Sequence, residues 1–273
     1  MKIAVLTLVK GRNGALLNLI KGLSLNNYSA MELIVVHMNE DTCDLPVTAF
    51  PIRSMSIHTA EVLPLAKARN LAIAQASAGH CIFLDVDCIP ATNFISSYAD
   101  VFSKQDILWS GLVRYLKKGF PDSIAKHELE EWSIEDPLRH NLKTLPYELF
   151  WSLNFGCSKN VFSKIGGFDE NFMGYGAEDT DFSFMARKSG IELAVVEATA
   201  YHQPHPSYDP PLNHLEDIVR NAIVFYDKWG KWPMQGWLNK FAELGYISWT
   251  DQHLRIINSP AETEIEKYLK PTA

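Results

Sequence analysis

Apolar runs and helical patterns alternate along the first third of the chain. Continuous apolar runs typical of buried strands cover residues 2–9, 31–37 and 81–84, and apolar residues at helical spacing cover residues 15–25 and 60–78. Strands that alternate with helices indicate a parallel sheet with helices on its faces. Ligands bind such sheets beyond the carboxyl ends of the strands, so the polar residues that follow each run are the first candidates for chemistry.

The pattern is less regular after residue 100. Residues 107–113 and 191–198 have the apolar composition of strands, and residues 126–134 carry charges at the spacing of a solvent-facing helix. The sequence therefore predicts further strands of the same sheet in this part of the chain.

The C-terminal part of the chain has a different character. Residues 213–229 have helical spacing, and residues 230–249 are rich in tryptophan. We predict an α/β domain at residues 1–212 and a helical, tryptophan-rich extension at residues 213–273 that packs on it. Its aromatic residues fit either a wall on which a sugar stacks or ordinary core packing, and core packing is the commoner outcome.

Composition excludes several classes of protein. The 273 residues include 25 Lys and Arg against 32 Asp and Glu, a net charge of −7 without a long basic run, which argues against nucleic-acid binding. The cysteines lack CxxC spacing, which favours reduced thiols and a cytoplasmic location; they are Cys43, Cys81, Cys88 and Cys157. No run reaches the ~18 apolar residues of a membrane-spanning helix, and peripheral contact with a membrane stays open.

Asp85 and Asp87 directly follow the strand predicted at residues 81–84. Because side chains alternate along an extended chain, both carboxylates point to the same side and repel each other. A divalent cation whose shell is completed by a diphosphate would relieve this repulsion. A solvated turn with two acids is the alternative.

A glycine-rich, acidic segment contains Gly174, Gly176, Glu178 and Asp179. The acids fall at the predicted start of a helix that continues through Arg187, where carboxylates are common because they cap the helix. A carboxylate at this place could instead act as a general base toward a substrate hydroxyl. Spacing alone leaves both explanations open.

His202 and His205 follow the strand predicted at residues 191–198. Neutral imidazole is a common metal ligand, so a histidine from this segment could complete a site begun by Asp87. Surface histidines of a proline-containing loop are the alternative.

Taken together, these segments resemble a known family. The matching stretches, in order, are TLVKGR (7–12), AKARNLA (66–72), IFLDVD (82–87), residues 154–187 with GGFDE (166–170) and GYGAEDTD (174–181) inside them, and His202. They make the chain similar to nucleotide-sugar-dependent glycosyltransferases of the GT-A fold, in particular the inverting family 2 and the related galactosyltransferase and polypeptide N-acetylgalactosaminyltransferase catalytic domains. The resemblance extends to about residue 205. It implies a mostly parallel central sheet flanked by helices, with a C-terminal helical extension.

The resemblance also implies an activity and a metal. The expected reaction moves a sugar from a nucleoside-diphosphate sugar, foremost a UDP-sugar, to a hydroxyl of a glycan or glycoconjugate. Asp87 is the implied ligand of Mn²⁺ or Mg²⁺, and Asp85 would contact the ribose or the metal's water shell, or bind the metal itself. His202 corresponds to the family's third metal ligand, with His205 as the competing choice.

Further roles carry over to individual positions. Asp179 is the implied general base, and Glu178 would orient the acceptor. Many family 2 enzymes read the uracil ring with an aspartate after the second strand, and here Asn39 or Glu40 stands at that place. The residues expected to bind the nucleotide and its phosphates are Thr7, Arg12, Asn39, Arg69, Asn70, Asp85 and Asp87. Those expected in the sugar and acceptor pocket are Trp151, Asn154 and Gly176.

Two other functions fit parts of this pattern. A sugar-phosphate nucleotidyltransferase would share the nucleotide-binding sheet, but the glycine-rich phosphate loop with a following catalytic lysine is missing near the N-terminus. A non-catalytic nucleotide-sugar-binding protein would be expected to lack Asp87 or Asp179, and the sequence contains both.

Overall fold

The protein folds around one large sheet. The computed structural model describes residues 1–59, 62–120, 126–140, 142 and 144–270. Nine strands in this part of the chain form the sheet: β1 (Ile3–Val9), β2 (Met31–Met38), β3 (Ile52–Ile57), β4 (His80–Leu84), β5 (Cys88–Pro90), β6 (Leu108–Leu116), β7 (Ser133–Glu135), β8 (Asn154–Ser158) and β9 (Leu193–His202). Their order is β3-β2-β1-β4-β8-β6-β9-β5, with β7 beside β6.

Helices surround the sheet, and a smaller set of elements follows it. The helices are α1 (Asn13–Ser24), α2 (Leu65–Gln75), α3 (Phe94–Phe102), α4 (Lys126–Glu131), α5 (Lys159–Ile165), α6 (Glu178–Lys188), α7 (Leu215–Trp229), α8 (Gln235–Glu243) and α9 (Glu262–Ile265). The remaining strands are β10 (Ser207–Tyr208), β11 (Ile247–Thr250), β12 (His253–Ile256) and β13 (Leu269–Lys270). Single 3₁₀ turns lie at Tyr147–Leu149, Leu212–His214 and Glu266–Tyr268. No helix of the described residues is both long and apolar enough to cross a bilayer.

The predicted α/β fold class is confirmed, and the sheet is mixed. Strands β3, β2, β1 and β4 are parallel, as their alternation with helices predicts. β8 is antiparallel to both β4 and β6, and β9 is parallel to β6 but antiparallel to β5. The parallel expectation came from the N-terminal runs, whereas β8 has the sequence NFGCS, which contains no apolar run although all five residues are buried.

Several predicted elements have different bounds in the structure. The helix predicted at residues 60–78 is α2, which begins after Pro64 and ends before Ala76, whose backbone is extended; Ala60 lies outside the described residues. The helix predicted at 126–134 ends at Glu131 because the chain then pairs with β6 as β7. The strand predicted at 191–198 continues to His202 as β9, where pairing with β5 extends it.

Two apolar clusters cover the two faces of the sheet. One packs α2, α5 and α6 on the sheet through a group of phenylalanines, in which the rings of Phe168 and Phe182 stack with centroids 4.4 Å apart. The other packs α1 and α3 on the opposite face. The first cluster fixes the start of α6, which carries the acidic motif.

The C-terminal segment has an apolar cluster of its own. α7, α8 and the hairpin β11–β12 surround the buried Leu238 and Phe241. The indole of Trp232 stacks on the ring of Tyr226, with centroids 4.1 Å apart, so these two aromatic side chains pack against each other. The extension is therefore helical only in part, because residues 247–256 form a hairpin and β13 pairs with β10.

Candidate active site

Strand pairing brings Asp87 and His202 together. Cys88 of β5 pairs with His202 of β9, and the N–H of Gln203 donates to the carbonyl of Asp87 at 2.7 Å. One ligand atom from each of Asp87, His202 and His205 lies within 4.8 Å of the others. The two histidines left open by the sequence thus stand side by side, and we call these three residues the metal triad. Asp85, half-buried just before it, is outside this group among the residues that the structure describes.

The charges at the metal triad favour a cation between its members. Burial and the neighbouring Asp85 raise the pKa of Asp87 to about 6, although Arg12 and His205 oppose the rise. Burial lowers the pKa of His202, which favours the neutral imidazole that binds metals. Arg12 Nε lies 3.9 Å and His205 Nε2 3.7 Å from the Asp87 carboxylate, beyond hydrogen-bond distance. A carboxylate with two imidazoles is a donor set that suits Mn²⁺ better than Mg²⁺, which prefers oxygen ligands.

Glu178 and Asp179 begin α6 and have different surroundings. Glu178 is buried and its Oε1 accepts a 2.9 Å hydrogen bond from Arg69 Nη1 in an ion pair. The carboxylate of Asp179 accepts hydrogen bonds from the backbone N–H of Thr180 at 2.7 Å and of Ser152 at 3.4 Å. Burial and the charge of Glu178 raise the pKa of Asp179 to about 6, with Arg69 opposing. Asp179 therefore has the raised pKa expected of a base that works near neutral pH.

The hydroxyl of Tyr175 lies within electrostatic reach of carboxylates from both acidic regions. Burial raises the pKa of its hydroxyl, and the negative charges of Glu178, Asp179 and Asp85 raise it further. Carboxylates from the metal end and from the base end thus act on the same phenol. We take the region between the metal triad and Asp179 as the candidate active-site cleft.

Arg69 lies at the base end of the cleft. Besides its ion pair with Glu178, its Nη2 donates to Ser152 Oγ at 2.7 Å, and its guanidinium lies 4.9 Å from the centre of the Phe168 ring. Its predicted contact with the nucleotide stays a prediction, while its observed hydrogen bonds hold Glu178 and Ser152.

The three predicted asparagines all use their side chains inside the protein. The partners of Asn70 are both backbone groups of Phe168, at 2.9 and 3.0 Å, and Glu170. Asn154 is buried and bonds Tyr98, Leu112 and Ala198. Asn39 has a left-handed backbone with φ of 52° and bonds Thr59 and Val62. Each holds two segments together, and its contact with a ligand stays a prediction.

The remaining residues predicted near the nucleotide lie at the carboxyl ends of β1 and β2. Thr7 is buried, and its hydroxyl oxygen has no hydrogen-bond partner within the described structure. Arg12 directly precedes α1, and its Nε lies 3.9 Å from the Asp87 carboxylate. Glu40 accepts from the N–H of Gly11 at 2.6 Å and contacts His37, so it holds the loop after β1.

The sequence analysis did not identify two residues near the predicted sugar and acceptor pocket, Arg139 and Tyr115. Arg139 forms a buried ion pair with Asp136 at 2.8 Å, and its guanidinium stacks 4.2 Å from the centre of the Trp151 ring. Tyr115 pairs with His202 across β6 and β9. Neither group belongs to a sequence motif, because both reach the pocket through contacts between distant segments. Gly176, the other predicted pocket residue, has φ of 104° and precedes α6.

Two family models match this chain over overlapping ranges. The family model described as glycosyl transferase family 2 matches residues 5–166, and the model described as the N-terminal domain of galactosyltransferase matches residues 138–206. Escherichia coli chondroitin synthase is 26% identical over 174 residues, which cover 52% of this chain and 25% of that protein. A Drosophila melanogaster relative named as an inactive polypeptide N-acetylgalactosaminyltransferase 12 is 26% identical over 174 residues, covering 59% of this chain and 31% of that protein. The matches span only about a quarter to a third of these curated relatives.

Solved structures with the same fold have low sequence identity to this chain. Staphylococcus aureus TarS in complex with UDP has a TM-score of 0.54 at 16% identity and covers 83% of this chain and 66% of its own. GalNAc-T7 with UDP, GalNAc and Mn²⁺ has a TM-score of 0.55 at 14% identity, and the match covers 74% of this chain and 44% of GalNAc-T7. The fold is therefore the GT-A fold of glycosyltransferases. The family 2 model matches more than half of this chain, from β1 through Asp85 and Asp87 to α5. This chain therefore belongs to glycosyl transferase family 2.

Proposed function

We propose that the protein transfers a sugar from a UDP-sugar to a hydroxyl of a glycan or glycoconjugate, with inversion at the anomeric carbon and with Mn²⁺ bound. The observation that carries the proposal is the metal triad, which the pairing of β5 with β9 assembles beside Arg12. The solved structures of TarS with UDP and of GalNAc-T7 with UDP, GalNAc and Mn²⁺ support the choice of donor and metal. The names of the chondroitin synthase and N-acetylgalactosaminyltransferase relatives support a glycan or glycoconjugate acceptor.

The base end accounts for activation of the acceptor. Asp179, with a pKa near 6, accepts the proton of the acceptor hydroxyl while that oxygen forms a bond to the anomeric carbon. The bond from that carbon to the diphosphate breaks on the opposite face, and UDP leaves with the electron pair. Glu178 and Arg69 stay paired beside Asp179, so one carboxylate orients and the other takes the proton.

The metal end accounts for departure of UDP. Asp87, His202 and His205 would hold Mn²⁺, which when bound neutralises the charge that develops on the diphosphate. Arg12, beside Asp87, is placed to add a second positive charge toward the phosphates.

Two coarser features belong to the same proposal. We place the catalytic domain at residues 1–212 and a separate C-terminal segment at residues 213–273, since the latter has its own apolar cluster. A cytoplasmic site of action is supported by Cys43, Cys81, Cys88 and Cys157, which are all free thiols.

Nucleotide release from a panel of donors tests the function. The protein is incubated with UDP-sugars and GDP-mannose, with Mn²⁺ and mixed glycan acceptors, and free UDP or GDP is measured. We expect UDP release from at least one UDP-sugar, loss of release in EDTA, and better recovery with Mn²⁺ than with Mg²⁺. Unchanged release in EDTA would remove the metal from the mechanism, and release from GDP-mannose alone would overturn the choice of UDP. Pyrophosphate formed from UTP and a sugar phosphate would favour the nucleotidyltransferase instead.

A further inference from the structure

The glycine-rich loop that leads into the base is held by helix α7. This loop comprises residues 173–176, and four residues at or near the start of α7 contact it: His214, Asp217, Arg220 and Asn221. We call these four residues the loop clamp. We propose that the loop clamp is a positioning device that sets the place of Asp179 for proton transfer, an inference that rests on the proposed function.

The loop clamp engages the loop backbone from end to end. Arg220 Nη2 donates to the carbonyl of Met173 at 2.9 Å, and the N–H of Tyr175 donates to Asp217 Oδ2 at 3.3 Å. Asn221 Nδ2 donates to the carbonyl of Gly176 at 2.9 Å and to that of Tyr175 at 3.3 Å. These bonds fix a segment that otherwise has the conformational freedom of two glycines.

The fit between the loop and the C-terminal segment is close enough to require those glycines. A Cβ atom on Gly174 would lie 2.2 Å from the carboxylate carbon of Asp217, and Gly174 has φ of 77°. A Cβ atom on Gly176 would lie 2.8 Å from the sulfur of Met234. The GYG part of the acidic motif is therefore shaped to receive residues 217 and 234, which the motif itself does not contain.

The Tyr175 ring is positioned by the same segment. It stacks on the imidazole of His214, with centroids 4.6 Å apart and an angle of 21°, and its centroid lies 5.9 Å from that of Trp237. Tyr175 is the residue whose hydroxyl senses carboxylates at both ends of the cleft. The loop clamp thus places a cleft residue as well as the backbone that leads to α6.

Asn221 places a buried polar atom without a hydrogen-bond partner in the protein interior, and its bonds to the loop account for its presence there. Its side chain is fully buried, and its Oδ1 has no hydrogen-bond partner within the described residues. An unsatisfied buried acceptor is unfavourable, and an apolar residue of similar size would avoid it. An asparagine at this position is therefore accounted for by the two carbonyls that its Nδ2 holds.

The backbone connects these contacts to the base. Ala177, with φ of 68°, links Gly176 to Glu178 and caps α6, so the path of residues 176–177 sets the direction of the first helical turn and of Asp179. Two residues beyond Asp179, the buried Asp181 accepts from Lys228 Nζ at 2.9 Å and from Trp229 Nε1 at 2.7 Å. Residues 217–229 of helix α7, which span about 18 Å along the helix, thus contact the chain on both sides of Asp179. Misplacement of a reacting group by about 1 Å can cost about 10²-fold in rate.

Asn221→Leu tests the proposal, with Leu238→Ala as its matched control. The leucine keeps the approximate volume of residue 221 and removes both bonds to the loop. Leu238→Ala opens a cavity in the C-terminal apolar cluster and leaves the four residues of the loop clamp unchanged. Four measurements are made on each full-length variant: kcat and KM for UDP release from the UDP-sugar that the wild type uses, the Kd of UDP with Mn²⁺, hydrogen–deuterium exchange of the amides of residues 173–180, and Tm.

The expected result separates positioning from stability. In Asn221→Leu, kcat should fall about tenfold to about 10²-fold and loop exchange should accelerate, with the Kd of UDP within about twofold of wild type. Leu238→Ala should lower Tm at least as much as Asn221→Leu does, while its kcat stays within about twofold of wild type. Wild-type kcat in Asn221→Leu, or a fall in kcat that tracks Tm in both variants, would overturn the proposal.

A second pair of variants covers the case in which Asn221→Leu does not fold. Asp217→Ala should lower kcat about tenfold, and Asp217→Asn, which keeps an oxygen for the Tyr175 N–H, should restore it to within about threefold of wild type. Equal kcat values in the two variants would overturn the proposal. A wild-type protein that turns over no UDP-sugar contradicts the proposed function; loop exchange in Asn221→Leu then still decides whether the loop clamp holds the loop.

Discussion

The two ends of the cleft are built in different ways. At the metal end, Asp87 and His202 stand next to each other through the pairing of β5 with β9, so their distance is set by strand register. At the base end, Asp179 follows a glycine-rich loop, and side chains of α7, roughly forty residues further along the chain, hold the backbone of that loop. The metal end is therefore fixed by the sheet, whereas the geometry of the base end depends on a segment outside the part of the chain that matches the family models.

This difference implies separate sensitivities. Changes at the base end should lower the rate of transfer and leave the binding of UDP with Mn²⁺ intact. Changes at the metal end should weaken that binding first, because in the proposed mechanism the triad holds the metal ion that binds the diphosphate of UDP.

The largest expected effect is that of Asp179→Asn. Removal of the general base should lower kcat by about 10² to 10⁴-fold, since the amide cannot accept the acceptor's proton. The Kd of UDP with Mn²⁺, measured by calorimetry, should stay within about twofold. A kcat near that of wild type would show that another group takes the proton. A loss of UDP affinity as large as the loss of kcat would show that the base end also contributes to donor binding.

A smaller effect is expected from pH. Asp179 must be ionised to act, and burial together with Glu178 raises its pKa to about 6, so kcat/KM should fall about tenfold per pH unit below that value. The rate of UDP release between pH 4.5 and 8 at saturating Mn²⁺ checks this. Titration of Asp87 overlaps in the same range, so the Kd of UDP is measured at each pH and separates the metal end from the base end. A flat profile of kcat/KM would contradict the role of Asp179.

The smallest expected effect concerns stability. The pKa of Asp179 is raised above its ordinary value of 3.8, so the folded state binds the proton more tightly than the unfolded state. The resulting stabilisation is full below about pH 4 and is lost as pH rises through about 6. Asp179→Asn removes the charge and should raise Tm at pH 7.5 by about 2–4 °C, with the gain vanishing toward pH 4. A lower Tm at pH 7.5 would show that the ionised carboxylate stabilises the fold.

Motifs inside single segments were predictable from the sequence. Asp85 and Asp87 follow a strand and Glu178 and Asp179 begin a helix, as the local patterns predict. Both histidines left open by the sequence lie at the metal triad. These features depend on apolar runs and on short spacings, which are visible in a linear sequence.

Features made by contacts between distant segments were not predictable. β8 lacks an apolar run because of its glycine and its asparagine. A Cβ on Gly156 would meet the ring of Phe102 at 2.8 Å, and Asn154 fills the space beside Gly111 of β6, where a Cβ would lie 2.2 Å from its side chain. The internal bonds of Asn39, Asn70 and Asn154 likewise join segments whose proximity only the fold creates. The loop clamp is the same kind of feature, because no motif links His214 or Asn221 to the acidic segment.

The binding of UDP with and without Mn²⁺ tests the central claim most directly. Calorimetry is carried out on wild type, on Asp87→Asn and on Asp179→Asn, each with Mn²⁺ and with EDTA. We expect Mn²⁺ to tighten UDP binding at least about tenfold in wild type and in Asp179→Asn, and not in Asp87→Asn. Equal UDP affinity with and without Mn²⁺ in the wild-type protein would contradict the account.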